Sequence, residues 1–241
     1  MPWIPGQGLD ERRERGVTRY ALLAVPMAFA AGDWLAVAQR RRRLEYVCKP
    51  ATIIALLICV GLWMEGPHDA WQAWFFLPGL GFSLAGDVFL MLRRERLFLY
   101  GLVAFLLAHV CYVIGFNPTV PPWPAFAILI PAAAAEVVFV RRIARVFREG
   151  DGDAMLIPVA GYAFVIGLMV FSAWATLLRP EWGARRGALA AIGGSLFFIS
   201  DGLLAWDRFV TPVHRGRLWV HATYHLGQMA LAASILLPTG A

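Results

Sequence analysis

Charge is scarce in this chain. Only 16% of its 241 residues are Asp, Glu, Lys or Arg and 59% are apolar, whereas a soluble domain averages about 25% charged and about 45–50% apolar. The deficit runs along the whole length, which excludes a soluble domain and implies a polytopic membrane protein. Cysteine is also rare. Cys48, Cys59 and Cys111 are scattered, with neither the spacing of a disulfide framework nor that of a metal site, and read as small core residues. H-E-x-x-H, a Gly-rich phosphate loop, a G-x-S-x-G elbow and a haem motif are all missing, so neither a metal nor a cofactor is expected. Acidic residues are fewer than basic ones, giving a net charge of +6. The arginines lie in short clusters between apolar segments, where they set topology and meet anionic lipid head groups, so nucleic acid is not an expected partner. Residues 1–16 are polar and lack the apolar stretch and cleavage site of a signal peptide. They read as an N-terminal tail before a transmembrane domain over 17–241, whose first span is the insertion signal.

What is present is a series of apolar stretches near the length of about 20 residues that a bilayer requires. Eight spans are expected, at 17–37, 48–64, 71–92, 97–116, 122–140, 155–178, 187–206 and 217–237, forming an all-α protein of four helical hairpins. Lys49-Pro50 opens the second span, with proline at a tolerated early position. Trp63, Trp71, Trp74, Trp123, Trp182 and Trp219 fall near span ends and read as interfacial belts. Lys and Arg number 15 on the side of the odd-numbered loops and 7 on the other, which predicts both termini outside. The short, arginine-rich loops suggest a bacterial inner membrane.

Each odd-numbered span carries an acid in apolar surroundings shortly before a basic cluster: Asp33, Asp87, Glu136 and Asp201, with Arg40, Arg93, Arg141 and Arg208 following 7, 6, 5 and 7 residues later. A carboxylate in hydrocarbon costs about 2.5–3.5 kcal/mol or more, so such residues read as functional or paired. The pattern has the character of an internal repeat, which in membrane proteins places sites at repeat interfaces. Asp87 and Asp201 sit in the most apolar settings, each roughly 10 Å inside its basic end at about 1.5 Å per residue. Asp33 and Glu136 read as packing or arginine-pairing groups. His221, Tyr224, His225 and Gln228 share one face of the eighth span, and a polar stripe there must face protein or water. Lys49, Asp87, Asp201, Tyr224 and Gln228 are therefore expected to assemble in the inner half of the membrane. His109 and Tyr112 share a face of the fourth span, but counting from Arg96 puts them roughly 20–24 Å deep; they line an acyl-chain pocket or pack as satisfied core groups. The His221/His225 pair alone is a weak metal signal.

Two nearby carboxylates in low dielectric do not both ionise readily, which supplies one acid and one base. The same pattern suits a proton- or cation-coupled transporter or a lipid-binding scaffold, and residue chemistry alone leaves these open.

Several segments resemble the YhhN and TMEM86 family of membrane proteins: Lys49-Pro50, Phe82-Ser83-Leu84-Ala85-Gly86-Asp87-Val88-Phe89-Leu90, Phe105-x3-His109-x2-Tyr112, Phe197-Phe198-Ile199-Ser200-Asp201-Gly202-Leu203-Leu204-Ala205, Arg208-Phe209 and Tyr224-x3-Gln228. The resemblance implies an eight-helix fold and a lysoplasmalogenase-like activity, hydrolysis of the vinyl ether of a lysoplasmalogen or related lysolipid to a fatty aldehyde and a glycerophospho-alcohol. It implies Asp87 and Asp201 as the catalytic pair. Lys49, Ser83, His109, Tyr112, Ser200, Tyr224 and Gln228 are the expected substrate-binding groups, with Lys49 toward the lipid phosphate.

Overall fold

The computed structural model describes residues 7–62, 67–92, 95–148 and 153–236. Among the described residues eight α-helices follow one another: α1 (Gln7–Ala38), α2 (Arg42–Leu62), α3 (Pro67–Met91), α4 (Glu95–Phe116), α5 (Leu129–Arg148), α6 (Asp153–Ala175), α7 (Gly183–Phe209) and α8 (Gly216–Leu236). Short 3-10 turns at Trp123–Ile128 and Thr176–Leu178 precede α5 and end α6, and no strand occurs among the described residues. In low dielectric every backbone polar group must be satisfied internally, and uninterrupted helices achieve that.

Among the described residues six segments, on α2 to α7, are long and apolar enough to cross a membrane; α1 adds a shorter apolar run, Leu22–Ala38. α8 is the more polar case, because His221, His225 and Gln228 interrupt it. The fold is thus an all-helical, multi-pass membrane protein with six to eight crossing helices. Three of the expected hairpins, α7–α8, α3–α4 and α1–α2, make the most extensive helix contacts, whereas α6 packs on α7 more than on its hairpin partner α5.

The helices outrun the apolar stretches. α2 starts at Arg42, so Pro50 lies inside it and not in its first turn, and Glu45, Cys48 and Lys49 are buried on it. The cluster Arg141 to Arg148 continues α5, and Arg185 and Arg186 lie on α7. Exposed apolar residues such as Trp74, Ile130, Ile157 and Phe164 cover the periphery, as expected of a surface that meets lipid. Trp74, Trp123 and Trp219 are exposed near helix ends, as in an interfacial belt. Trp182 is not part of it: it is buried against Phe116 and lies under the Arg186 guanidinium. Trp63 lies outside the described residues.

α7 and α8 approach most closely at two glycines. A Cβ on Gly193 would lie 2.8 Å from the Leu231 nitrogen, and one on Gly227 would lie 3.0 Å from the Phe197 nitrogen. This backbone contact holds the polar stripe of α8 against the interior, where it meets α1, α2 and α3.

Candidate active site

On α3, Ser83 and Asp87 are one helical turn apart and both fully buried. On α8, Tyr224 and Gln228 have the same spacing and face them. The Asp87 carboxylate is held from two sides. Lys49 Nζ of α2 lies 2.9 Å from Oδ1, and the Tyr224 hydroxyl donates to Oδ2 at 2.8 Å. Lys49 also sits 5.5 Å from the centre of the Tyr224 ring, a cation–π arrangement. One turn further along, Gln228 Nε2 donates to Ser83 Oγ at 2.9 Å and Gln228 Oε1 accepts from the Tyr112 hydroxyl at 2.8 Å. α2, α3, α4 and α8 thus meet in one buried polar network.

Asp201 belongs to a second, adjacent centre. His109 Nε2 lies 3.1 Å from Asp201 Oδ2, the Tyr162 hydroxyl of α6 donates to the same oxygen, and His109 and Tyr162 are themselves 2.9 Å apart. The Phe197 ring separates the centres, packing on His109 (4.7 Å), Tyr112 (6.4 Å) and Tyr224 (5.4 Å). The five groups expected to form one assembly therefore divide: Lys49, Asp87, Tyr224 and Gln228 come together with Ser83 and Tyr112, while Asp201 sits with His109.

Counting residues from basic ends placed His109 too deep relative to Asp201. α4 and α7 run in opposite directions, with Phe98 under Arg208 and Phe105 on Phe197. Helical side chains lean toward their own N-termini, so His109 and Asp201 lean toward each other and close a gap that a Cα count leaves open.

Ser200 points elsewhere: its hydroxyl donates to the Val220 carbonyl of α8, a tie between helices. Asp33 is fully buried and has a partner other than arginine, His221 Nδ1 at 2.7 Å, with His225 Nδ1 3.7 Å away. Glu136 lies over α6, where a Cβ on Gly167 would meet its carboxylate. Two groups escaped the sequence analysis. Tyr162 is an uncharged residue alone in an apolar helix, without spacing to flag it. Glu45, paired with Arg217, is buried and sits seven residues beyond Ala38, the last residue of α1, in a charged stretch.

Two cavities border these centres. An apolar cleft of about 690 Å³, counting the space at its mouth, runs between α4, α6 and α7, and its walls include Phe98, Leu102, Ile166 and Phe198. Asp201 is the one ionisable carboxyl group on its wall, beside Tyr162. A more polar chamber of about 560 Å³ is lined by Glu45, Lys49, Asp207, Arg217 and His221. Leu90 and Leu204 line both, so the two spaces adjoin. An apolar space that carries Asp201 on its wall, next to a polar one bordered by Lys49, suits an amphiphilic ligand.

Residues 44–235 match the YhhN family. The chain belongs to that family. Relatives bear the same reading. Lysoplasmalogenase TMEM86B of Mus musculus is 30% identical over 201 residues, covering 80% of this chain and 80% of its own length. Lysoplasmalogenase TMEM86A of Homo sapiens is 33% identical over 157 residues, covering 65% of this chain and 62% of its own length. The membrane protein YhhN of Escherichia coli O157:H7 is 26% identical over 220 residues, covering 88% of this chain and 98% of its own length. No solved structure matches the chain. The YhhN match begins at Leu44 and includes Lys49, both central aspartates, Tyr162 and the α8 stripe, while Asp33 precedes it.

Proposed function

We propose that this YhhN-family protein is a membrane-embedded lysoplasmalogenase that hydrolyses the vinyl ether of a lysoplasmalogen, or of a closely related lysolipid, with Asp87 and Asp201 as its acid–base pair. The observation that carries the reading is the place of Asp201, the one carboxyl group on the wall of an apolar cleft that adjoins a polar chamber. The lysoplasmalogenases among its relatives support it.

The chemistry assigns distinct tasks to the two centres. A proton passes to the outer alkene carbon of the vinyl ether and leaves an oxocarbenium ion on the carbon bonded to oxygen. Water adds to that carbon, and the resulting hemiacetal collapses to aldehyde and alcohol. Asp201 touches the chain-binding cleft, so it is the group placed to serve the alkene, with His109 and Tyr162 fixing its carboxyl. Lys49 borders the polar chamber and is tied to Asp87, so that pair, with Tyr224, orients the attacking water and accepts its proton. Acid and base on opposite sides of the reacting carbon parallel the logic of glycoside hydrolysis. The protein lies in a bacterial inner membrane with both termini outside and the basic helix ends inside.

The test uses purified protein in detergent, without a gradient. Aldehyde is released from a lysoplasmalogen, and in D2O it carries deuterium at C2, the protonated carbon. The saturated 1-alkyl lysolipid is left intact. Asp87→Asn and Asp201→Asn proteins fold and release no aldehyde. Wild-type protein that leaves the vinyl ether intact while carrying an ion flux in vesicles is a transporter, and the proposal is then wrong.

A further inference from the structure

Beyond the polar chamber, the ends of α1, α7 and α8 enclose a wider vestibule of about 1160 Å³, counting the space at its mouth. Its polar lining is Arg40, Asp207, His214, Arg215 and Arg217. Asp207 and Arg217 also line the chamber that reaches Lys49 and His221, so the vestibule leads inward to the lysine that holds Asp87.

Two backbone positions single it out. Among the described residues, Arg40 (φ 57°) and Arg215 (φ 53°) are the non-glycine residues with positive φ. That conformation crowds a Cβ and suits glycine or asparagine. Both turns are occupied by arginine, and both arginines line the same vestibule. What arginine supplies there that glycine would not is a guanidinium. The acidic groups nearby are already engaged. Asp207 Oδ1 accepts the Val213 N–H at 2.7 Å and braces the turn before α8, and Glu45 pairs with Arg217. Arg40 and Arg215 have no carboxylate partner among the described residues. Lys49, by contrast, is committed to Asp87.

We propose that this vestibule is an anion subsite in which Arg40, Arg215 and Arg217 hold the phosphodiester of a lysophospholipid head group, and so set how far its chain enters the cleft. The identity of the lipid rests on the function proposed above. Guanidinium groups match phosphate geometry through paired N–H donors. The role expected of Lys49 toward phosphate passes to the arginines.

The test measures binding of two non-cleavable ligands to purified protein in neutral detergent: a saturated 1-alkyl lysophosphatidylethanolamine, and the 1-alkyl glycerol that lacks its phosphate. The phospholipid binds about tenfold or more tightly, as charge-assisted hydrogen bonds allow. R40G/R215G abolishes the difference, and its melting temperature stays level or rises because glycine adopts positive φ freely. If that protein does not fold, R40N/R215N carries the test, since asparagine also tolerates the conformation. Competition by inorganic phosphate marks a general anion site; discrimination without such competition marks the head group as the ligand. A double variant that discriminates as the wild type does overturns the proposal. Because neither ligand is cleaved, intact discrimination without aldehyde release would count against the enzymatic reading and leave the subsite standing.

Discussion

Lys49 is the residue on which the first centre turns. It is buried on α2, its ammonium lies 2.9 Å from the fully buried Asp87 carboxylate, and its charge reaches Asp33. Removing one partner of a buried ion pair strands the other charge and costs about 3–5 kcal/mol, whereas replacing both by neutral groups is often nearly neutral. Lys49→Met is therefore expected to lower the unfolding midpoint in detergent sharply. Lys49→Met/Asp87→Asn should recover most of that loss and release no aldehyde. Equal stability of the single and double variants would show that the pair is not closed as described. At the second centre, Tyr162→Phe deletes the hydroxyl that donates to Asp201 and leaves the ring in place. One hydrogen bond to a charged group is worth about 1.5–3 kcal/mol. Because the bond strengthens as Asp201 gains charge on giving up its proton, kcat should fall by roughly ten- to a hundredfold at nearly unchanged KM, with a loss of stability of about 0.5–1.5 kcal/mol, the worth of a neutral hydrogen bond. A rise in KM alone would make Tyr162 a wall of the cleft and nothing more.

At the scale of the helix, the contact of α7 with α8 positions Tyr224 and Gln228. A methyl group at Gly193 would lie 2.8 Å from a backbone nitrogen of α8, whereas one at Gly61 of α2 meets nothing within 4 Å. Overpacking costs about 1–3 kcal/mol, while alanine in place of glycine in an open helical position gains about 0.5–1 kcal/mol. Gly193→Ala should therefore destabilise and depress activity together, and Gly61→Ala should be neutral or stabilising, both read by thermal unfolding and aldehyde release. The existence and order of the helices were legible because hydropathy alone marks apolar stretches of spanning length. Their ends were not. Arg42 to Val47 and Arg141 to Arg148 are charged segments that continue as helix, and hydropathy reads such charge as loop. The α8 stripe was legible through its turn-by-turn spacing, and depth along the helices matched Tyr224 and Gln228 to Asp87, whereas Ser83 entered only through the family resemblance. The meeting of His109 with Asp201 was not, since it depends on the lean of side chains on opposed helices. The Asp33–His221 pair joins α1 to α8 across the length of the chain, and no local spacing encodes it.

Across the whole molecule the two ends differ. One is braced by the buried Arg179 guanidinium, which donates to Thr119 Oγ1 at 2.7 Å, Asn117 Oδ1 at 2.9 Å and the Thr119 carbonyl at 2.8 Å. These bonds tie the segment after α4 to the turn before α7. The other end carries the vestibule, and shared lining residues lead from it to the polar chamber and then to the apolar cleft. An amphiphile that enters tail first along this route keeps its head at the basic end and presents its ether bond near the junction at Leu90 and Leu204. A path that opens at the basic end makes access a property of that membrane face. Cysteine at His214, on the vestibule wall, should react with a bulky membrane-impermeant maleimide only from the face that carries the basic helix ends, and the adduct should block aldehyde release. Cysteine at Thr119 should react only from the opposite face, with turnover retained after labelling. Cys48 and Cys59 are buried and Cys111 is partly exposed on α4, so labelling of the unsubstituted protein is subtracted as the background for both measurements. Loss of turnover on labelling at Thr119, with none at His214, would place the route at the Arg179 end and refute the entry path drawn from the cavities.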